Sequence, residues 1–500
     1  MRTAVDRLRT GWGEGIFVVV AVLVLRLPAL VLSRWYDPDE AAIALQALAM
    51  RRGGTLYVDM ADRKPPLPPL LYEFVFWVTG SFDLRPVRLL VALMLAGAAI
   101  ALIHDVRRTH GPAVARWAGA LFVVGSLAFS PIDAGAANYA HFALPLATVA
   151  IICCRRAGWR WAIGGGVMLG LAILARQSWL FAIPAGAFSV GCGAIKSVRT
   201  STISAKVRGT LVPVIAFVSG VVAAVFAAGL FVPLSDFVYW NFTSSPGFVF
   251  AGTDLWGAIV RGLAALGLFL LWHLALSAAA LWSLRRPGLR PNLDLWVWVV
   301  TGCLAVGAGL RFYGHYWMQL LPPLVLLAAP VLAGLGDRLR RIASTTLLLG
   351  ATIAWALLFV PGAFRERPSD TPVAAYIRDH TSADQRVLVW GTFPELAVDV
   401  DRPTAGRLVH SDFVTGRSGG RDDPSETLPT VTDRPLEMFL DDVIDDPPEI
   451  IVDTSGVASL GYTNYPMTVI PEFGEFVADR YEVETTLDGF TILRLRAPTD

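Results

Sequence analysis

Between Asp37 and Pro66 the chain reads DPDEAAIALQALAMRRGGTLYVDMADRKPP, which places carboxylates, a lysine and several arginines just after a long apolar run. Charge held close to a membrane carries a desolvation cost and points to function. A carboxylate there can take a proton from an attacking hydroxyl, and a nearby cation can stabilise an anionic leaving group. Asp37 reads as a helix N-cap, Pro38 as the first helical residue, and Glu40 as the third-position acid of a capping box. Those roles account for Asp37 and Glu40 and leave Asp39 over, so Asp39 is the first candidate for chemistry. The helix should carry Ile43, Ala47 and Met50 on one face, close with Arg51 and Arg52, stop at Gly53-Gly54, and lie along the membrane surface.

The elements that must position these groups follow from composition. Five hundred residues at 54% hydrophobic and 17% charged describe a polytopic membrane protein, mainly α. A net charge of +1 without a basic, aromatic-laced patch excludes nucleic acid as an expected partner. The four cysteines lie in or beside apolar runs, and neither a disulfide framework nor a zinc site is expected. Lys64, Lys196 and Lys206 are the only lysines among 42 basic residues, a bias suggesting a GC-rich genome. No cleavage site follows the first apolar run, which is expected to be a retained anchor.

Apolar runs at 16–33, 87–103, 117–131, 142–154, 161–175, 179–195, 210–232, 255–284, 294–310, 318–335 and 343–361 give about eleven spans. Basic clusters recur at every second junction: Arg2, Arg7 and Arg9; Arg107, Arg108 and Arg116; Arg155, Arg156 and Arg160; Lys196, Arg199, Lys206 and Arg208; Arg285, Arg286 and Arg290; Arg338, Arg340 and Arg341. Those ends are therefore expected in the cytoplasm, with the N-terminus inside and the C-terminal segment outside. Residues 67–80, with Glu73 and paired prolines, break the alternation and read as a second interfacial or re-entrant helix. The loop 34–86 then lies outside although it holds Arg34, Arg51, Arg52, Arg63, Lys64 and Arg85, which a polar ligand explains better than topology does.

The junctions 131–141, 176–178, 233–254 and 311–317 open on the same side as Asp39 and bring Asp133, Asn138, His141, Arg176, Gln177, Arg311, Tyr313 and His315 with them. From about 362 the composition becomes that of a soluble domain, so the division is 1–361 and 362–500. Helices at 372–380 and 434–444, strands at 386–391 and 449–453, and a closing strand pair predict a small α/β domain outside the membrane. The stretch 411–428 reads as a mobile loop.

An external carboxylate flanked by Lys64, Arg176, Arg311 and His315 suits attack by a hydroxyl on a phosphorylated lipid. Nucleotide sugars are not expected on that side, so the donor would be lipid-linked, and a polyprenyl-phosphate sugar meets that need. The order of first span, Asp39-Glu40, interfacial helix, GGTLYVDMADRKPPLPPLLY, ANYAHFALP, GLAILARQ and RFYGHYWMQLLPP resembles the GT-C glycosyltransferases. Within them it is most similar to bacterial members related to the protein O-mannosyltransferases and the lipid A aminoarabinose transferases. The resemblance implies inverting transfer from a polyprenyl-phosphate sugar to a cell-envelope glycan, lipid or protein acceptor on the outer face of the plasma membrane. It places the family's catalytic acid at Asp39 with Glu40 beside it, the lysine before paired prolines at Lys64, and the basic residue ending the fifth span at Arg176. His141 departs from relatives, where an acid or another polar group is often found.

Asp39, Lys64 and Arg176 are expected to meet in one pocket. Arg311 and His315 are assigned to the donor phosphate, and Asp37, Tyr57, Asp59, Asp62, Asn138, His141, Gln177 and Tyr313 to the substrate lining. No obligatory metal is expected, although Asp37-Pro38-Asp39 has the form of a metal-binding DxD. Other readings stand beside these: Lys64 and Arg63 could snorkel to lipid headgroups, the aromatics near His315 could form an interfacial belt, and Asp133 could cap a helix. The alternative function is a transporter or flippase for a lipid-linked sugar, or a non-catalytic assembly protein, though matched halves and midplane charges are missing.

Overall fold

Wherever an apolar run was expected to span, the computed structural model has helix. It describes residues 2–32, 35–127, 135–197, 203–244, 255–285, 292–357, 371–417 and 422–497. Asp133, Arg34, Arg199, Arg286 and Arg290 lie outside the described residues, as do the side chains of Arg2, Arg7, Arg9, Lys196 and Lys206. By contacts the chain divides into two compact units, each assembled from separated segments. A helical unit comprises Met1–Tyr36, Asp83–Phe231 and Trp256–Phe364, and a mixed unit comprises Asp37–Phe82, Val232–Leu255 and Arg365–Asp500.

Among the described residues, five stretches are both long and apolar enough to cross a membrane: Leu84–His110, Gln177–Ile195, Val207–Leu230, Leu255–Trp272 and Gly314–Ala333. Shorter apolar helices, among them Gly13–Leu25, Tyr139–Cys154 and Trp159–Ala175, accompany them. The protein is a multi-pass membrane protein. Two runs read as single spans are each interrupted once, the first at Arg26 between Arg2–Leu25 and Leu27–Val31, the other at His273 between Leu255–Trp272 and Leu274–Ser283. Pro28, in the first turn of Leu27–Val31, needs no N–H there and suits a new helix start. Small residues let Trp159–Ala175 approach Ile203–Ala227 backbone to backbone: a Cβ on Gly166 would lie 2.0 Å from the Phe217 carbonyl oxygen. Several of the clustered arginines pair with acids: Arg156 with Asp105 at 2.7 Å, Arg155 with Asp294 at 2.8 Å, and Arg107 with Glu14.

In the mixed unit the four strands β1 (Val387–Trp390), β2 (Ile450–Asp453), β3 (Tyr481–Leu487) and β4 (Phe490–Leu495) lie in the order β1-β2-β4-β3. β1 and β2 are parallel and the other pairs antiparallel. Alternation along β1 sends Leu388 and Trp390 into one core with Phe439, Ile451 and Phe473, and Val387 into another with Ile377, Leu396 and Ile450. Helices Thr371–His380 and Asp433–Asp445 stand where period 3.6 placed them.

The stretch 411–428, expected to be mobile, is largely packed where it is described. Phe413 is buried, and the Thr427 hydroxyl lies 2.9 Å from that of Tyr465. Polarity suggested a loose loop, but its few apolar residues find core.

Helix Pro38–Arg51 packs on Leu67–Thr79 and on Pro394–Val400 of the C-terminal segment. Nine consecutive residues from Glu40 to Leu48 are buried, so the helix is covered on every face there and not only along Ile43 and Ala47. The Arg51 guanidinium reaches Glu73 at 3.4 Å, pairing the charge that set residues 67–80 apart from the spans. Further along the loop, Ala61 N–H donates to the Arg407 carbonyl at 2.6 Å and the Ala61 carbonyl accepts from Val409 N–H at 3.3 Å. Arg52 pairs with Asp401 at 2.8 Å.

Candidate functional site

The helix start follows its sequence signals. Asp37 is extended, and its carboxylate accepts from Asp39 N–H at 3.0 Å, with Pro38 first in the helix. This cap turns the Asp39 side chain outward, where its carboxylate lies 3.7 Å from the Lys64 ammonium. The two side chains are 25% and 33% exposed. That separation exceeds hydrogen-bond length, and an ion pair so open to solvent is held weakly. Glu40, grouped with Asp39 as catalytic, is fully buried, so of the two acids only Asp39 keeps an accessible carboxylate.

Lys64 is positioned through its backbone. The Tyr57 hydroxyl donates to the Lys64 carbonyl at 2.7 Å, while Tyr57 N–H donates to the Met60 carbonyl at 2.8 Å. Tyr57 has φ 73°, a conformation costly for an aromatic residue, and neighbours over-determine it. Trp240 Nε1 donates to the Tyr57 carbonyl at 3.1 Å, and Phe237 packs on the Tyr57 ring. Burial raises the Tyr57 phenol well above its ordinary value, with the Asp62 charge adding to the rise and a hydrogen bond to Asn241 opposing it, so it stays a proton donor.

Two other loop acids act within the loop. Asp59 accepts from Thr55 N–H at 2.6 Å and closes the turn after Gly53-Gly54. Asp62 is buried and accepts from Arg63 N–H at 2.6 Å. The Arg63 guanidinium lies 4.1 Å from the centre of the Phe413 ring. Burial lowers it to about 10, with Asp62 and Asp412 opposing. Arg63 is thus packed on protein, unlike a side chain reaching for lipid headgroups.

In the helical unit, Arg176 ends helix Trp159–Ala175 in extended backbone. Its Nε donates to the Ser178 hydroxyl at 3.1 Å, and the guanidinium stacks 4.1 Å over Tyr316. Ser178 donates to Gln319 Oε1 at 3.2 Å, and Gln319 returns to the Tyr316 carbonyl at 3.2 Å. His315 is buried between the Tyr313 and Tyr316 rings, whereas Tyr313 is 44% exposed. Arg311 and Gln177 are partly buried at the ends of the segments they join. Asn138 caps Tyr139–Cys154 by accepting from Ala140 N–H at 3.1 Å, and its Oδ1 lies 3.1 Å from His141 Nδ1. Both are fully buried. Tyr316, read as one of an aromatic belt, carries the Arg176 guanidinium, and Ser178 and Gln319 are polar members of this network that sequence reasoning did not single out, although Gln319 inside WMQLLPP is a polar residue in an apolar run. Among the described residues no group of three His, Cys, Asp or Glu side chains is placed to hold a metal ion.

No family model matches this chain, and no curated protein does. Solved structures do. ArnT from Cupriavidus metallidurans in the apo state superposes with a TM-score of 0.62 at 15% identity, over 97% of this chain and 98% of that one. The chain has the GT-C fold. ArnT bound to undecaprenyl phosphate gives a TM-score of 0.60 at the same identity and coverage. A second GT-C structure, the oligosaccharyltransferase AglB from Archaeoglobus fulgidus with an inhibitory peptide and a dolichol-phosphate, matches with a TM-score of 0.51. It is 11% identical, over 97% of this chain and 74% of that one. At these identities the likeness establishes the GT-C architecture.

Proposed function

We propose that the protein is a membrane glycosyltransferase that moves a sugar from a polyprenyl-phosphate carrier to a hydroxyl or amine of a cell-envelope acceptor. The contact between Asp39 and Lys64 carries this reading, because it joins a base and a phosphate-binding cation in one loop. A pair this weak can separate at little cost, the carboxylate turning to the acceptor and the ammonium to the donor phosphate. Asp39 takes the acceptor's proton as the new bond to the anomeric carbon forms. The bond from that carbon to the phosphate oxygen breaks on the opposite face, inverting the centre, and polyprenyl phosphate leaves with the electron pair. Lys64, with Arg176, Arg311 and His315 as further phosphate-binding groups, stabilises the departing charge. That two GT-C neighbours were solved with polyprenyl phosphates supports a carrier of that class.

The proposed setting is the plasma membrane, with the N-terminus cytoplasmic and the C-terminal domain outside. The test uses full-length protein in proteoliposomes, a polyprenyl-phosphate donor labelled in the sugar, and a membrane extract as acceptor. Wild type should release free polyprenyl phosphate and label the acceptor, and Asp39→Asn should do neither. Movement of intact donor across the bilayer without bond cleavage, in both proteins alike, would mean transport instead.

A further inference from the structure

Gln319 is buried in the apolar stretch Gly314–Ala333, and no step of the proposed reaction uses it. An amide in such a place is expensive unless both of its ends are hydrogen-bonded. Here both are: Oε1 accepts from the Ser178 hydroxyl at 3.2 Å, and Nε2 donates to the Tyr316 carbonyl at 3.2 Å. Gly314–Leu320 is a 3₁₀-helix, whose three residues per turn set Tyr316 and Gln319 on one side. Ser178 belongs to another, Gln177–Ala182, which begins directly after Arg176. The amide therefore ties together two segments 141 residues apart in the chain.

The two groups that Gln319 holds are also the two that hold Arg176. The guanidinium lies with its carbon 4.1 Å from the centre of the Tyr316 ring, and its Nε donates to the Ser178 hydroxyl at 3.1 Å. A serine hydroxyl has a single proton to give. Because Gln319 Oε1 takes that proton, a lone pair of Ser178 is left facing Arg176 Nε. Without Oε1 the hydroxyl is free to rotate, and its hold on Nε weakens. The Tyr316 ring is packed against His315 at 4.9 Å and Tyr313 at 5.5 Å between centres, and its backbone carbonyl is bonded to Gln319. One amide thus supports the guanidinium at its Nε edge and, through Tyr316, at one face. That sets the plane of the group, and a planar fork meets phosphate oxygens well only in the right plane.

We infer that Gln319 is a positioning residue of the donor-phosphate site, setting through Ser178 and Tyr316 the plane in which Arg176 meets the phosphate of the lipid carrier, an inference that rests on the assignment of Arg176 to that phosphate. Titration of the full-length protein in nanodiscs with undecaprenyl phosphate tests it, because the isotherm reports Kd and the number of sites separately. Gln319→Met has a similar volume and neither hydrogen-bonding end. It should raise Kd by about 10-fold or more, the worth of one bond to a charged group, with the number of sites unchanged. Ser178→Ala cuts the same link from the other side and should raise Kd by a similar factor. Arg176→Gln should raise Kd at least as far. Adding Gln319→Met to Arg176→Gln should then change Kd by less than about 2-fold, because groups that act as a unit are not additive.

A wild-type Kd in Gln319→Met, whether with all sites or with fewer of them, overturns the inference. So does a full further loss in the double variant, which would mean that Gln319 acts without Arg176. Should Gln319→Met not fold, Ser178→Ala alone and combined with Arg176→Gln decides in the same way. Coupled losses of binding in a protein that transfers no sugar would support the inference and overturn the transferase reading. Wild-type binding by Arg176→Gln would overturn the inference and leave the chemistry at Asp39 standing.

Discussion

At the scale of single residues, Asp39 and Lys64 hold each other at 3.7 Å in a position where each remains partly open to solvent. Exposed pairs contribute about 0.2–1 kcal/mol, so Lys64→Gln should leave Tm close to wild type. Transfer should nonetheless fall by about 10²-fold or more through loss of charge stabilisation at the leaving phosphate. A labelled-donor assay beside a thermal melt separates the two effects. Tyr57→Phe should behave differently, because it leaves the Lys64 carbonyl without its 2.7 Å donor. A lost hydrogen bond costs about 0.5–1.5 kcal/mol, so a lower Tm should accompany the lost activity. The Asp37 cap was legible in the sequence, because an acid followed by proline ahead of a helical run is a local signal. The turn at Tyr57 was not legible, since positive φ at a tyrosine has no local signal and is imposed by Trp240 and Phe237 from a distant segment.

Among the elements, the loop that carries Lys64 is held by the C-terminal segment through the paired backbone of Ala61 with Arg407 and Val409. Ala61→Pro removes the N–H that donates to Arg407 at 2.6 Å and should loosen the loop. Limited proteolysis should then cut near residues 53–66 faster than in wild type, with a parallel drop in transfer, and unchanged cleavage would argue against this support. Strands and helices of the C-terminal segment were readable from their periods of 2 and 3.6. Its attachment to the first loop was not, because Ala61 and Leu408 are separated by most of the chain and form only an isolated bridge. The same limit applies to the burial of Pro38–Arg51: its composition gave one apolar face, and tertiary packing buried the rest.

For the whole molecule, the succession of apolar runs was enough to give the membrane helices and, with the motifs between them, the GT-C fold. Hydropathy did not reveal the breaks at Arg26 and His273, because a single polar residue barely lowers the average of a long window. Nor did it reveal that Gly166 sits against the Phe217 backbone; Gly166→Val should prevent Trp159–Ala175 from seating on Ile203–Ala227 and sharply reduce the yield of folded protein in the membrane. The central claim, that Asp39 is the base of a glycosyl transfer, is tested most directly by single-turnover transfer at saturating donor, with binding of undecaprenyl phosphate measured on the same preparations. Asp39→Asn should bind the carrier as wild type does and transfer about 10²–10⁴-fold more slowly. Transfer by Asp39→Asn at the wild-type rate, with binding intact, would contradict it.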